Sequence, residues 1–331
     1  MSAREPVLQV RHLSTCFRTE RGVVTAVDDV SFDLFAGETL GIVGESGCGK
    51  TVASKSIMRL LPEHLSFLRP ESEILFDSLD LARADEKQMR KVRGDRIAMI
   101  FQEPMTSLNP VFTVGWQIDE ALKYHTDLDR SARRARAVEM LRVVEIPDPE
   151  RRIGEYPHQL SGGMRQRVMI AMALCCEPDI LIADEPTTAL DVTIQAQILD
   201  LMEGLKRKLD TAIVLITHDL GVVAQVCDRV LVMYAGRLIE SGPVLDIFHA
   251  PRHPYTRALL DSIPKSGRRE RGGRLRTIEG IVPGLHELPP GCRFEDRCAG
   301  REQRCADQEP ALEPLGQGRA VRCHFPLPEE V

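Results

Sequence analysis

The sequence lacks any apolar stretch long enough to cross a membrane. A membrane-spanning helix needs roughly 18 or more mainly apolar residues in a row, and no part of this chain approaches that length. The first residues, MSAREPVLQVRHL, also lack the apolar segment of a secretory signal peptide. We therefore expect a cytosolic protein, and any role at a membrane requires the chain to bind there as a peripheral partner.

Aromatic residues and net charge are also low. Aromatics are 5% of the 331 residues, with a single tryptophan, so the core must consist mainly of leucine, isoleucine, valine and alanine. The net charge of -6 argues against broad nucleic-acid binding, because that function favours a strongly basic surface. With 43% hydrophobic and 28% charged residues, the chain suits one large globular domain and a smaller second one.

The sequence does contain a series of short apolar runs separated by helical segments, which is typical of a parallel sheet covered on both faces. Residues 7–43, which include the first of these runs, indicate β structure, as in the alternating VSFDL at 30–34. Residues 103–160 have helical spacing instead, and we expect a mostly helical insertion there. The runs are TLGIV (39–43), RIAMIFQ (96–102), DILIADE (179–185), AIVLITHD (212–219) and RVLVMYAG (229–236).

A glycine-rich stretch follows the first run. GESGCGKT, residues 44–51, fits the pattern G-x-x-x-x-G-K-[ST] between a predicted strand and a predicted helix, which is the context that a phosphate-binding loop requires. The glycines let backbone amides approach phosphates, and the new helix directs its positive end at them. We call residues 44–51 the phosphate loop. Its predicted nucleotide-binding residues are Gly44, Glu45, Ser46, Gly47, Cys48, Gly49, Lys50 and Thr51.

Three of these residues have individual interpretations. Lys50 is predicted to reach the β and γ phosphates, and Thr51 to offer its hydroxyl to Mg²⁺. Cys48 occupies a free position of the pattern, and we interpret it as a small tolerated residue in preference to a redox switch.

Two carboxylates end the DILIADE run. Asp184 is predicted to hold Mg²⁺, as the acidic residue at the end of a neighbouring strand does in enzymes with this loop. Glu185 is not needed for the metal, but it suits a base that orients and deprotonates a water molecule. Gln102 and His218 also follow apolar runs. Because parallel sheets gather their ligands at the carboxyl ends of strands, these residues are predicted to share a site with the phosphate loop.

LSGGMRQR, residues 160–167, predicts a second anion-binding helix end. Ser161 is a suitable N-cap, and Gly162 and Gly163 keep side chains away from the helix N-terminus. Such a terminus attracts anions. The phosphate loop is already complete in this chain, so the residues alone leave the purpose of a second helix end of this kind open.

These motifs together resemble those of the ATP-binding subunits of ABC transporters. In that family two subunits pack head to tail, and the signature of one completes the ATP site of the other. The resemblance therefore implies that Ser161, Gly162 and Gly163 contact the partner's ATP. GESGCGKT is similar to the Walker A motif, LSGGM to the signature, ILIADE to Walker B and ALD (189–191) to the D-loop.

The resemblance also implies roles for single residues. Gln102 corresponds to the Q-loop glutamine, a sensor and Mg²⁺ ligand, and His218 to the switch histidine that contacts the γ phosphate. Phe17 stands where the family places the aromatic residue that stacks on adenine. Met164 replaces the glutamine of many signatures, but the assignment stands because Ser161 and the glycines make the phosphate contact.

Further segments are similar to the oligopeptide/dipeptide branch of ABC importers. This likeness implies that ATP hydrolysis drives import of di- or oligopeptides, or of related solutes such as nickel or glutathione. It implies a second, related ATP-binding subunit in preference to a second copy, two permeases, an external solute-binding protein, and a place on the cytoplasmic face of the inner membrane. The segments are FQEPMTSLNP (101–110), YPHQLSGGM (156–164), ADEPTTALDVTIQAQIL (183–199) and HAPRHPYTRALL (249–260).

The expected fold is accordingly α/β, a P-loop NTPase of the ABC type. Residues 1–255 would form the nucleotide-binding domain, with a parallel core sheet, an antiparallel β subdomain and a helical subdomain near 103–160. Residues 256–331 would form a small cysteine-rich C-terminal region. A soluble ABC ATPase of translation or DNA repair, an exporter ATPase, and a degenerate subunit that binds ATP without hydrolysing it are the alternatives.

Four of the nine cysteines crowd into the tail. Disulfides are rare in the cytosol, so we interpret the group first as a metal site. Four thiolates suit either zinc or an iron–sulfur cluster, although the spacing C-x5-C-x6-C-x17-C is wider than that of usual zinc sites. Free thiols are the third possibility. The family resemblance implies a [4Fe–4S] cluster that helps the tail to fold, held by Cys292, Cys298, Cys305 and Cys323.

A basic run, PKSGRRERGGRLR at 264–276, precedes the cysteines. Its low apolar content favours a solvated linker over a contact with anionic lipid.

Overall fold

The computed structural model describes residues 5–102, 107–187, 191–263 and 278–329. The basic run at 264–276 lies outside them. In the described residues no helix has the length and apolar composition of a membrane-spanning segment. The strands are β1 (Pro6–Thr19), β2 (Gly22–Phe35), β3 (Thr39–Val43), β4 (Ser66–Leu68), β5 (Glu73–Phe76), β6 (Leu79–Asp80), β7 (Ile97–Ile100), β8 (Ile180–Asp184), β9 (Ala212–Ile216), β10 (Arg229–Tyr234), β11 (Arg237–Pro243), β12 (Glu313–Gly316) and β13 (Arg319–Val321).

Helices follow most of the longer strands. Single turns of 3₁₀-helix lie at Pro157–Gln159 and Glu295–Arg297. The α-helices are α1 (Lys50–Ile57), α2 (Glu86–Val92), α3 (Val114–His125), α4 (Arg130–Val143), α5 (Pro149–Arg152), α6 (Gly162–Leu174), α7 (Val192–Leu209), α8 (Leu220–Val226), α9 (Val244–His249), α10 (Pro254–Asp261) and α11 (Gln303–Asp307).

The described residues group into two units. We call the first the helical unit, because it contains α2 to α7 together with β7 to β9, and the second the loop unit, because it contains the phosphate loop. The helical unit comprises the described parts of Met1–Val7, Leu34–Glu38 and Arg83–Ile216, and the loop unit comprises those of Leu8–Asp33, Thr39–Ala82 and Thr217–Val331.

Three parallel strands form the core of the helical unit. Ile97 of β7 lies opposite Ile180 of β8, which in turn lies opposite Ala212 of β9. Every residue of β8 and β9 is buried. Both faces of such strands are covered, which explains why their sequences are apolar at successive positions. The prediction of parallel strands is confirmed for these three runs.

Helices α3, α4 and α6 pack against one another in the same unit. Their first turns are capped by Thr113, Asp129 and Ser161, whose side chains accept hydrogen bonds from backbone amides three residues later. Such caps satisfy amide groups that have no partner inside the helix. The mostly helical character predicted for 103–160 is confirmed for its described residues, 107–160.

The loop unit contains an antiparallel sheet. Strand β1 pairs antiparallel with β4 and β5, and β5 pairs with β6. Val10 of β1 lies opposite Ile74 of β5, and both are fully buried. The alternation of buried and partly exposed residues along β2 is that of strands with one face on a core.

A second set of strands in the loop unit is mixed, not parallel throughout. β3 and β10 are parallel, but β10 turns back on β11 as an antiparallel hairpin. Ala235 and Gly236 form its two-residue connection with φ values of 44° and 85°, the backbone of a turn that suits tight hairpins. RVLVMYAG therefore ends in a turn. β11 next pairs with β13, and β13 with β12, so the tail extends this set with antiparallel strands.

Candidate functional site

The backbone of the phosphate loop requires glycine at two positions. Gly44 has a φ of 150°, and a Cβ atom there would lie 2.2 Å from the carbonyl oxygen of Met233. Gly49 has a φ of 101°, and its Cβ atom would lie 2.5 Å from the carbonyl oxygen of Ala26. A side chain at either position meets backbone that cannot yield, so the loop keeps its tight turn only with glycine.

Lys50 begins α1 directly after this turn. Its side chain is only 6% exposed, and its ammonium group donates to the carbonyl oxygens of Gly44 and Glu45 at 2.7 and 2.9 Å. It also lies 3.7 Å from the sulfur of Cys48. The loop thus wraps around a buried positive charge at the N-terminus of a helix, an arrangement that attracts phosphate.

Cys48 is buried inside the loop. Burial raises the pKa of its thiol, against an opposing effect of Lys50. A protonated, buried thiol is a poor nucleophile, which favours the interpretation of Cys48 as a small packing residue. Ser46 and Gly47, in contrast, lie exposed at the tip of the loop.

In the helical unit, Gln102 and Glu185 lie together. The side-chain amide of Gln102 donates to the carboxylate of Glu185 at 3.0 Å. Glu185 has a φ of 48°, an unusual backbone for a residue other than glycine, and its amide donates to the carbonyl oxygen of Ile216 at 2.8 Å. This turn directly follows Asp184, the buried last residue of β8. Strain of this kind concentrates at functional sites.

The structure fixes His218 at the edge where the phosphate loop begins. The amide of Thr217 donates to the carbonyl oxygen of Ile42 in β3 at 3.3 Å, one residue before β3 ends. Asp219 then caps α8 by accepting hydrogen bonds from two backbone amides. His218 itself is exposed between these two anchors.

The second predicted helix end is present at the start of α6. The Oγ atom of Ser161 accepts a hydrogen bond from the amide of Met164 at 3.4 Å, which confirms the predicted N-cap. Ser161 and Gly162 are both exposed, and a Cβ atom at Gly162 would have nothing within 4 Å. Of the predicted D-loop, Ala189 and Leu190 lie outside the described residues, and Asp191 caps α7.

Phe17 is half-buried on β1, where its partner on β4 is Ser66. It belongs to the loop unit, as does the phosphate loop.

The four tail cysteines line one recess in the loop unit together with His253, Phe294 and His324. We call it the tail recess. All four are free thiols, and burial raises the pKa of Cys292 to about 12 and that of Cys323 to about 11. Within the described ranges, however, no three histidine, cysteine or acidic side chains are arranged to hold a metal ion. The recess gathers the predicted ligands without confirming a metal.

Comparison with known proteins decides the family. Residues 27–188 match the ABC transporter family, and residues 239–305 match the oligopeptide/dipeptide transporter C-terminal region. The dipeptide transport ATP-binding protein DppD of Bacillus subtilis is 54% identical over 319 residues, which cover 96% of this chain and 94% of that protein. The chain belongs to the ABC transporter family.

Other relatives agree with this assignment. DppD of Escherichia coli is 51% identical over 321 residues, covering 97% of each chain. The solved dimeric structure of the ATP-binding cassette MJ0796, bound to ADP and phosphate after hydrolysis, superposes with a TM-score of 0.63 and 28% identity. It covers 72% of this chain and 98% of that cassette. This ABC protein is thus an ATP-binding subunit of the oligopeptide/dipeptide type and an ATPase.

The ABC protein has two residues at its phosphate loop that the motifs did not indicate. The amide of Glu45 donates to the hydroxyl oxygen of Tyr255 at 2.9 Å, and the carboxylate of Glu45 accepts from the guanidinium of Arg297. Tyr255 and Arg297 are 210 and 252 residues away in sequence. Only the HAPRHPYTRALL segment hinted at the first of them, and no spacing rule connects either to the loop.

Proposed function

We propose that this chain hydrolyses ATP to drive the import of di- or oligopeptides, or of related small solutes, through a partner permease. The observation that best supports this proposal is the similarity to dipeptide transport ATP-binding proteins over almost the whole chain. It includes the C-terminal region that matches the oligopeptide/dipeptide type. The phosphate loop with its buried Lys50 supplies the matching chemistry.

Each predicted site residue has a role in this proposal. Glu185 orients and deprotonates the attacking water, and Gln102, its hydrogen-bonded neighbour, senses the γ phosphate. His218 contacts the γ phosphate and steadies that geometry. Lys50 and the loop amides of 44–51 stabilise the negative charge that develops on the transferred phosphoryl group. Phe17 stacks on adenine.

We also propose that Mg²⁺ is held by Thr51, Gln102 and Asp184. Hydroxyl, amide and carboxylate oxygens are the ligands that this hard cation prefers. Bound Mg²⁺ supplies positive charge that offsets the charge of the β and γ phosphates.

The proposed assembly contains a second ATP-binding subunit, two permeases and an external solute-binding protein, at the cytoplasmic face of the inner membrane. A related paralogue is preferred over a second copy of this chain. The dimeric state of the MJ0796 cassette supports pairing of two such subunits. Ser161, Gly162 and Gly163 would then reach the partner's ATP, for which the exposure of Ser161 and Gly162 leaves room.

The permease would dock on the helical unit. A groove of about 380 Å³ there is lined by residues of β7, α3 and α6, including Met99, Ala121 and Met172. Tyr124 at its rim is 73% exposed, and nearby Trp116 is 43% exposed. Large exposed apolar side chains beside a groove are typical of a protein–protein contact, and this groove borders the described end of the Gln102 segment.

We propose further that residues 1–255 form the nucleotide-binding domain and 256–331 a small C-terminal domain with a [4Fe–4S] cluster, zinc being the alternative metal. The four thiols around one recess supply a suitable donor set. Because cysteine binds a metal as the thiolate, metal binding at these residues would release protons. Iron, sulfide and zinc analysis of anaerobically purified protein tests the proposal. Metal-free protein with a folded tail would contradict it.

Peptide uptake by cells tests the main proposal. In cells lacking this gene, uptake of a radiolabelled dipeptide should fall to background and return with the wild-type chain but not with Glu185→Gln. An amino acid carried by an unrelated system serves as the control. Normal dipeptide uptake combined with lost nickel or glutathione uptake would reassign the solute and leave the ATPase in place.

A further inference from the structure

Glu45 is an unexpected residue in a loop that binds polyphosphate, because its carboxylate repels the anion. The C-terminal region holds this carboxylate in a two-pronged ion pair. Two guanidinium nitrogens of Arg297 donate to the two carboxylate oxygens of Glu45, at 2.7 and 2.9 Å. This fork-on-fork geometry is the strongest form of such a pair.

Arg297 is fully engaged in this position. Its side chain is 4% exposed, against 29% for Glu45. Besides the two bonds to Glu45, it donates to the Tyr234 hydroxyl at 3.2 Å and to the carbonyl oxygens of Ile278 and Glu279 at 3.4 and 2.9 Å. Each of its five N–H groups thus has an acceptor, and the guanidinium cannot leave Glu45 without losing several partners.

The residues around the ion pair hold Arg297 in position beside Glu45. Arg297 ends the 3₁₀ turn Glu295–Arg297, just after Phe294. Phe294 packs edge-on against Tyr234 and Tyr255, with ring centroids 5.3 Å apart in both cases. Tyr255 also accepts the amide hydrogen of Glu45. The same aromatic cluster therefore positions Arg297 and contacts the phosphate loop.

We propose that Arg297 is a positioning residue of the nucleotide site, which acts through Glu45 by cancelling the charge of its carboxylate. This inference rests on the proposed binding of ATP at the phosphate loop. Without Arg297, an unpaired negative charge remains in the loop, and ATP binds more weakly. The C-terminal region thereby helps to set the ATP affinity of the cassette.

Titration of the full-length chain with ATP and Mg²⁺ tests the proposal through three variants. Arg297→Gln should weaken ATP binding roughly tenfold, a Coulomb effect of the size expected between partly exposed charges. Arg297→Gln/Glu45→Gln should restore affinity to within about threefold of wild type, because the unpaired charge is gone. Glu45→Gln alone should bind ATP at least as tightly as wild type. High salt should shrink the loss in Arg297→Gln.

Arg301→Ala is the matched control and should keep wild-type affinity. Arg301 lies in the same tail, is 59% exposed and pairs only loosely with Glu295 at 3.5 Å. A purely structural role of Arg297 predicts no rescue by Glu45→Gln, and that outcome overturns the proposal. If Arg297→Gln does not fold, weaker binding by Glu45→Gln or by the double variant overturns it.

Lys50→Ala separates this inference from the proposed function. If Lys50→Ala leaves ATP affinity unchanged, the proposed binding of ATP at the phosphate loop is contradicted. If Lys50→Ala weakens binding while Arg297→Gln binds ATP like wild type, only the proposed role of Arg297 is contradicted.

Discussion

The two helix ends that we propose bind phosphate differ in how they are built. At the start of α1, Gly49 caps the helix without a side-chain hydrogen bond, the turn is tight against Ala26, and Lys50 is buried. At the start of α6, Ser161 caps the helix through its own side chain, and the space beside Gly162 is open. The first end is closed by contacts within the chain, whereas the second is open, as our proposal of a nucleotide held by a second subunit requires.

This difference has a thermodynamic meaning. In our proposal, the phosphate loop binds the nucleotide of its own chain and is pre-organised by contacts within the loop unit, so the single chain should bind ATP. In our proposal, the open helix end meets a nucleotide only when another subunit supplies one. Changes at the first end should therefore alter ATP binding by the isolated chain, and changes at the second should alter the assembled complex.

The largest effect should come from Glu185→Gln. Loss of a positioned base typically lowers turnover roughly 10²- to 10⁴-fold, while ATP binding at the phosphate loop persists. Phosphate release and ATP titration, both on the purified complex, measure the two quantities separately. Near-normal turnover would contradict a catalytic role for Glu185. If the variant keeps ATP but does not hydrolyse it, the nucleotide should stay bound between the two helix ends of neighbouring subunits.

A smaller effect, on ATP affinity, is expected from Lys50→Ala, which removes the ammonium group at the start of α1. Losing hydrogen bonds from a charged donor should weaken ATP binding by the isolated chain roughly 10- to 100-fold. Lys55→Ala is the matched control, because Lys55 lies in the last turn of the same helix and should not affect affinity. Unchanged affinity in Lys50→Ala, by direct titration, would contradict the cis assignment.

The sequence predicted the local parts of this site well, because each depends on a few neighbouring residues. GESGCGKT predicted a tight turn between a strand and a helix, because the backbone at Gly44 and Gly49 leaves no room for a side chain. Ser161 specified a helix start in the same way. The apolar runs of β7, β8 and β9 specified parallel strands, because burial on both faces leaves no polar positions.

The parts that failed depend on distant contacts. RVLVMYAG does contain a strand parallel to β3, as predicted, but its apolar composition did not reveal that Ala235 and Gly236 turn the chain back into the antiparallel strand β11. The pair between Glu45 and Arg297 joins residues 252 apart, beyond any local pattern. The cysteine spacing did not identify a metal. The position of Cys323 relative to Cys292 depends on the pairing of β11 with β13, which the spacing does not reveal.

The smallest effect, and the sharpest one for the comparison, is expected from Gly162→Ala. The added methyl group meets nothing in the chain itself, so folding and ATP binding by the isolated chain should be unchanged. If the partner's nucleotide occupies that space, overpacking by a methyl group costs enough to slow hydrolysis in the complex roughly tenfold. Gly204→Ala in α7 is the matched control, since a Cβ atom there also has nothing within 4 Å, and it should leave hydrolysis unaffected. Equal hydrolysis by complexes carrying Gly162→Ala and Gly204→Ala would mean that the open helix end never meets a nucleotide.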